Sequence, residues 1–269
     1  MRKDGGALSG RALVTGASSG IGAELARVLA QNGHDVVLVA RTQATLEALA
    51  AELSSRYGVR ADVFAVDLGD PGGPGRVDGL LRERALDVHW LVNNAGIGLH
   101  GPFSENDPQA QLRLLQLNVV ALTQLTRSLL PAMLARRSGR VLNVASTAAF
   151  VPGPFMATYY ASKAYVLSLS VALENELAGT GVTVTTLCPG PTHTHFGEAA
   201  GITRTRLFRT GGVMDPVDVA RAGYAGAQAG KSIVVPGLRN RLIAGGSGLA
   251  PRSVTARIAR ALQDPAHQA

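Results

Sequence analysis

Short apolar runs with little polar alternation recur along the chain, separated by stretches whose apolar residues fall three and four apart. The runs are Ala12-Leu13-Val14, Val36 to Ala40, Val63 to Val66, Trp90-Leu91-Val92, Val141 to Val144, Thr183 to Leu187 and Ser232 to Val235. Each reads as a strand buried on both sides. Between them, helical spacing runs from Ile21 to about Gln31 and through Leu46, Leu49 and Leu53. A turn-rich stretch, Pro71 to Pro74, opens a short helix ending near Ala85. Longer helices are predicted from about Pro108 to Arg136, kinked near Pro131, and from Tyr159 to Ala178, with another near Pro216–Gln228. Strands alternating with helices predict an α/β fold, a doubly wound parallel sheet flanked by helices on both faces. Composition shifts at Gly237, after which Leu, Gly and Arg dominate. The expected organisation is one domain over 1–237 and a helical extension over 238–269.

Composition narrows the class. Of 269 residues, 46% are hydrophobic and 32 are glycine, which excludes a disordered chain, a collagen and a coiled coil. Cys188 is the single cysteine, so no intrachain disulfide forms and a reducing compartment is expected. The start, Met1-Arg2-Lys3-Asp4-Gly5-Gly6, leads into no apolar signal region, and no apolar run approaches the ~18–20 residues of a membrane span. A cytoplasmic protein without integral membrane association is the expectation. Twenty-six basic against 19 acidic side chains give a net charge of +7, which favours anionic partners. The arginines are scattered singly, with no run longer than Arg136-Arg137 and no interleaved aromatics, so nucleic acid is not the expected partner. An anionic small molecule accounts for the charge equally well.

Two constellations carry candidate chemistry. After the first strand comes Thr15-Gly16-Ala17-Ser18-Ser19-Gly20-Ile21-Gly22, a G-x-x-x-G-x-G spacing at a strand-to-helix turn. Glycines there permit a tight turn and close approach of a phosphate, and the helix N-terminus offers free N–H groups and a positive dipole end. The second is Tyr159-Tyr160-Ala161-Ser162-Lys163. Tyr159 and Lys163, four apart, share a helix face, and an ammonium beside a phenol favours the phenolate of a general acid/base. Ser146 ends the fifth strand, and ligands of open parallel sheets bind at the carboxyl ends of strands. Tyr160 lacks a lysine four residues on (Ala164 stands there), so it is set aside as the acid/base.

With Asn93-Asn94-Ala95-Gly96 after the fourth strand, Asn118 in the long helix and Pro189-Gly190-Pro191-Thr192 after the sixth, these motifs make Arg11 to Gly237 resemble the short-chain dehydrogenase/reductase family. The resemblance implies a Rossmann-type fold and hydride transfer between a nicotinamide and a ketone or alcohol. It implies Tyr159 as general acid or base, Lys163 lowering the Tyr159 pKa and holding the ribose, Ser146 polarising the carbonyl and Asn118 supporting a proton relay. Gly16, Ser18, Ser19, Gly20, Ile21 and Gly22 would cradle the pyrophosphate. Asp67 would accept from the adenine amine, Asn94 and Ala95 would sit near the cofactor, Thr192 would touch the carboxamide, and Leu68, Gly96, Pro189 and Gly190 would also bind the cofactor. Relatives pair the helices around 108–136 and 159–178 across a two-fold axis, which implies a homodimer or homotetramer. The second half, including Leu187 to Thr192, resembles a bacterial branch related to long-chain 3-oxoacyl reductases more than sugar or sterol enzymes.

Cofactor choice rests on the end of the second strand. Arg41 stands where an NAD site expects an acid, and Asp35 precedes the strand at its wrong end, so NADP(H) is expected over NAD(H). NADP-preferring relatives often carry a base inside the glycine turn; here Ser19 stands there, so the preference rests on Arg41. A dinucleotide-sensing regulatory or scaffold protein on the same fold is the competing reading, but such proteins commonly lose the tyrosine or lysine that this chain keeps. His193-Thr194-His195 lacks enough nearby ligands for a metal, and Cys188 reads as a packed thiol. The loops after strands four to six offer an apolar pocket from Leu99, His100, Phe103, Phe150, Val151, Pro152, Phe155, Met156 and Phe196. The segment from His193 to Gly212, with Arg204, Arg206 and Arg209, is placed where a substrate lid is expected.

Overall fold

A computed structural model of the protein describes residues 10–203, 205–206, 212–247 and 250–264. Every apolar run becomes a strand, and all pair in parallel: β1 (Arg11–Thr15), β2 (Val36–Ala40), β3 (Ala61–Ala65), β4 (Val88–Asn93), β5 (Gly139–Val144), β6 (Val182–Leu187) and β7 (Ile233–Val234). The strand order is β3-β2-β1-β4-β5-β6-β7. After β1 the chain winds outward one way, and at β4 it resumes on the other side of β1. The two halves diverge between β1 and β4, and ligands of such sheets bind at the carboxyl ends there.

The missing alternation follows from burial on both faces. Ala12 and Val14 pack beneath α1 (Gly20–Gln31) and α2 (Gln43–Tyr57) with Leu25, Leu29, Leu46 and Leu53. Leu13, between them, points the other way into a second core with Val77 and Leu81 of α3 (Gly73–Glu83). Each such Leu stabilises the fold by roughly 1.5–3 kcal/mol through burial alone. The Rossmann-type architecture expected from the sequence is therefore present.

One helix differs from expectation. The long segment breaks into α4 (Pro108–Leu115), a π-helical turn over Gln116–Ala121 and α5 (Leu122–Ala135). Pro131 stays inside α5. The irregularity sits at Asn118, whose side chain is tied on both sides to the backbone of Ile97. Beyond it lie a 3₁₀ turn (Thr147–Phe150), α6 (Ala157–Glu176), α7 (His195–Ala199), α8 (Pro216–Gln228), α9 (Leu238–Ser247) and α10 (Arg252–Gln263). Arg204 and Arg209 of the expected lid lie outside the described residues. Among the described residues, no helix is long and apolar enough to cross a membrane.

Candidate active site

The turn after β1 is shaped by its glycines. Gly16 takes φ +65°, and a Cβ there would come within 2.8 Å of Asn94 Nδ2. A Cβ on Gly22 would stand 2.2 Å from the Gly16 carbonyl oxygen, so α1 can pack this closely only on a glycine. Ser19 is the N-cap of α1 but makes no side-chain cap bond, leaving first-turn N–H groups available to an anion. Thr15 fastens the neighbouring loop: its Oγ1 accepts from the N–H groups of Asn94 and Ala95, both at 3.0 Å, and donates to the Val92 carbonyl. Asn94 returns the tie by donating from Nδ2 to the Thr15 carbonyl at 2.9 Å.

On α6, one turn brings Tyr159 and Lys163 to the same wall. Lys163 is almost wholly buried, donates to the Val144 carbonyl at 2.8 Å and stands 5.8 Å from the centroid of the Tyr159 ring. Burial brings its ammonium down to about 8. The Tyr159 phenol is shifted the other way: burial raises it above its ordinary value, partly countered by a hydrogen bond with Ser146. Desolvation, not the expected lowering by Lys163, sets the direction, and Tyr159 is held protonated. Ser146, at the end of β5, accepts from the Ala148 N–H at 3.1 Å and donates to the Pro189 carbonyl at 3.4 Å. Asn118 accepts from the Ile97 N–H and donates to the Ile97 carbonyl, both at 3.0 Å, and donates to Ser162 at 3.1 Å. A Cβ on Gly96 would approach Asn118 Oδ1 to 3.2 Å and Lys163 Nζ to 3.4 Å, so these groups meet at one point.

A single cavity of about 540 Å³ joins the glycine turn to this cluster. Gly16, Ser18, Ser19, Gly20 and Ile21 border one end, with Arg41, Asp67 and Leu68 beside them. Asn94, Ala95, Gly96 and the loop residues Pro189, Gly190 and Thr192 border its middle, and Ser146, Tyr159 and Lys163 its far wall. Gly22 and Asn118 are not on the wall; they act behind it. The opened turn, the free helix N-terminus and the cation at Arg41 suit a phosphate-bearing dinucleotide. Over residues 11–204 the sequence matches the short chain dehydrogenase family model.

The chain belongs to the short-chain dehydrogenase family.

It is an oxidoreductase fold shared with solved relatives. A short-chain dehydrogenase from Sphingobium yanoikuyae in complex with NADPH is 35% identical, with TM-score 0.79, over 89% of this chain and 94% of that one. A bulky-bulky ketone specific alcohol dehydrogenase from Comamonas testosteroni is 33% identical, with TM-score 0.75, over 89% and 93%. Among curated relatives, a very-long-chain 3-oxoacyl-CoA reductase of Phaeosphaeria nodorum is 38% identical over 177 residues, 64% of this chain. That match spans about half (52%) of the relative's length.

Within this short-chain dehydrogenase, the expected adenine contact at Asp67 already has partners: its carboxylate accepts from Arg113 at 2.5 Å and from the Gly69 N–H at 2.8 Å. Burial pushes Asp67 up, but those hydrogen bonds outweigh it and hold the carboxyl below its usual range. Of the apolar residues expected at the pocket, Met156 and Phe196 border the cavity, and the Phe196 ring lies 5.3 Å from that of Tyr159. Phe103 is 65% exposed, while His100 and Phe155 instead hold the last helix, through the Gln263 carbonyl (2.8 Å) and the Arg260 guanidinium (5.3 Å). Cys188 is wholly buried, and burial pushes its thiol up to about 12, so it is inert packing. Two residues were missed: Thr15, an ordinary strand threonine by sequence, and Gln263, which borders the cavity from the far end of the chain.

Proposed function

We propose that this chain is an NADP(H)-dependent carbonyl reductase, running also as a secondary alcohol dehydrogenase, on an apolar ketone of the 3-oxoacyl type. The observation that carries this reading is the convergence of a protonated Tyr159, Ser146 and a buried Lys163 on one cavity with the glycine turn. A bound NADPH would supply the hydride for the carbonyl carbon. Tyr159 gives its phenolic proton to the carbonyl oxygen, and Ser146 donates a hydrogen bond to that same oxygen. Giving up that proton leaves a phenolate, which Lys163 stabilises, and in the reverse direction this phenolate takes the alcohol proton and returns to the phenol. The turn at Gly16 to Gly22 would hold the pyrophosphate, Arg41 would meet a 2′-phosphate, and Lys163 would hold the ribose. Asn118, braced by Ile97 and Ser162, fixes the backbone beside Lys163 where a relay water would stand.

The apolar walls from Met156, Phe196 and Ile202 favour an acyl or alkyl group over a sugar. The similarity to a very-long-chain 3-oxoacyl-CoA reductase and to a bulky ketone dehydrogenase supports the same choice. We further infer a homodimer or homotetramer, carried by outward-facing Leu112, Leu115, Val120 and Tyr165, and a cytoplasmic setting, carried by the single cysteine. The core domain is taken as 1–237, with 238–269 as its extension. The test is oxidation of NADPH by purified protein over monoketones, 3-oxo esters and 3-oxoacyl thioesters. Turnover of 3-oxo substrates with NADPH supports the reading; binding of NADPH without turnover of any ketone overturns it in favour of a dinucleotide sensor.

A further inference from the structure

Helix α10 is built the wrong way round for an ordinary surface helix. Its buried face is Thr255, Ala259 and Gln263, while Val254 and Ile258 are exposed. A polar side chain is taken inside only where it gains partners. Gln263 is 1% exposed and lies against the substrate end of the cavity, where its Nε2 donates to the Tyr160 hydroxyl at 3.0 Å. Its carbonyl is fastened to His100 Nε2 at 2.8 Å, so the end of α10 is fixed to the loop after β4. Among the described residues its Oε1 has no hydrogen-bond partner.

Tyr160 is equally constrained. Its ring packs on Gly153, where a Cβ would come within 2.3 Å, and crosses the Tyr159 ring at 77° with centroids 6.0 Å apart. It borders the same cavity as Tyr159 and Ser146. A phenol that accepts from Gln263 keeps its own hydrogen, and burial raises its pKa so that the hydrogen stays. Two phenols of adjacent residues therefore face one pocket, one beside Ser146 and Lys163, the other tethered from the C-terminal helix.

We propose that Tyr160, oriented by Gln263, is a second hydrogen-bond donor to the substrate and selects molecules carrying a second acceptor oxygen beside the reacting carbonyl. A 3-oxoacyl thioester or ester has such an oxygen, with one carbon between its two carbonyls; a monoketone does not. The inference rests on the reading of the cavity as a ketone-reducing site and adds the chemical feature that site selects. Gln263 is a positioning residue here, and Tyr160 the group that touches substrate.

The experiment compares two ketones of nearly equal shape, ethyl 3-oxohexanoate and 4-nonanone, as kcat/KM with NADPH. The wild type is set beside Tyr160→Phe, Gln263→Leu and Gln263→Glu, with NADPH affinity and thermal melting measured on each to follow the fold. The ratio of ester to monoketone is expected to fall about 10-fold in Tyr160→Phe, the cost of leaving one buried acceptor unpaired. Gln263→Glu is the sharper variant. It keeps the size and the contact, but a carboxylate only accepts, so it takes the Tyr160 hydrogen away from the substrate and the ratio falls too. An equal loss on both ketones in Tyr160→Phe overturns the selection, because packing alone would do that. An unchanged ratio in Gln263→Glu also overturns it, because the hydrogen would then already point at Gln263. A wild type that reduces neither ketone overturns the reductase reading and the selection together, whereas one that reduces both at the Tyr160→Phe ratio overturns the selection alone.

Discussion

The Lys163 ammonium stands 5.8 Å from the centroid of the Tyr159 ring, and its Nζ is bonded to the Val144 carbonyl. Tyr159 and Lys163 are thus neighbours on α6 whose charged forms are both disfavoured by burial. Desolvation raises the phenol and lowers the ammonium. A protonated phenol is the acid that ketone reduction needs, so the resting state of this wall is set for proton delivery.

Replacing Tyr159 with Phe is expected to lower kcat by about 10²–10⁴-fold, the usual contribution of a general acid. NADPH affinity changes by no more than a few-fold, because the glycine turn and Lys163 hold the dinucleotide. Steady-state kinetics and a fluorescence titration measure the two effects separately. More than a tenth of wild-type turnover in the variant would remove Tyr159 from the reaction.

Lys163 links the site to stability. Its folded value of about 8 lies below the ~10.4 of a solvated lysine. Between those values the unfolded chain holds a proton that the folded chain has released, so stability rises with pH across that window. Below about 8 both states are protonated and the fold bears the full cost of a buried charge. Lys163→Met is therefore expected to lose the rise in stability that wild type shows above about pH 8, while turnover collapses. Urea unfolding of the cofactor-free proteins from pH 7 to 10.5 is the measurement. A variant with the same rise as wild type contradicts the burial argument.

How much of this was legible in the sequence depends on how local each cause is. The strands were readable because burial on both faces leaves an unbroken apolar run at Val36 to Ala40, and Tyr159 with Lys163 because four residues make one helical turn. The break at Asn118 was legible only in part: a polar residue inside a helix can bend it, but this bend is made by Ile97 and Ser162, and proline chemistry pointed to Pro131. Gln263 left no signal at all. Its partner Tyr160 is 103 residues away, and the buried face of α10 inverts the apolar spacing by which a helix face is read. Nor does spacing show the direction of the Tyr159 shift, because it reveals the lysine but not the dryness of the wall.

The outer face of α4 and α6 yields a prediction about assembly. Leu112 is 59% exposed, and Leu115, Val120 and Tyr165 are exposed beside the Thr123–Tyr165 hydrogen bond of 2.9 Å. Sedimentation is expected to give a dimer or tetramer of the 27.8 kDa chain at micromolar concentration. Leu112→Glu, which sets a charge in that apolar face, shifts the distribution toward monomer. A monomeric wild type would refute this interface.

Cofactor preference turns on Arg41, an exposed cation at the end of β2 that borders the cavity beside Asp67. The other acid near this strand, Asp35, is engaged by Arg60 at 2.7 Å and lies at the opposite end, so it offers nothing to a ribose. A 2′-phosphate carries close to two negative charges, and a guanidinium meets it with paired donors. Hydrogen bonds to charged groups contribute ~1.5–3 kcal/mol, so losing Arg41 weakens NADPH by roughly 10- to 150-fold. NADH has no such phosphate and loses little. Arg41→Asp goes further, because a carboxylate accepts from both ribose hydroxyls and repels the phosphate. With Ser19 supplying no second cation in the glycine turn, nothing there compensates, and the substitution inverts the preference instead of merely reducing it. The measurement is kcat/KM for both cofactors in wild type and Arg41→Asp. A wild type that prefers NADH, or a variant that still prefers NADPH, would place phosphate recognition elsewhere in the cavity.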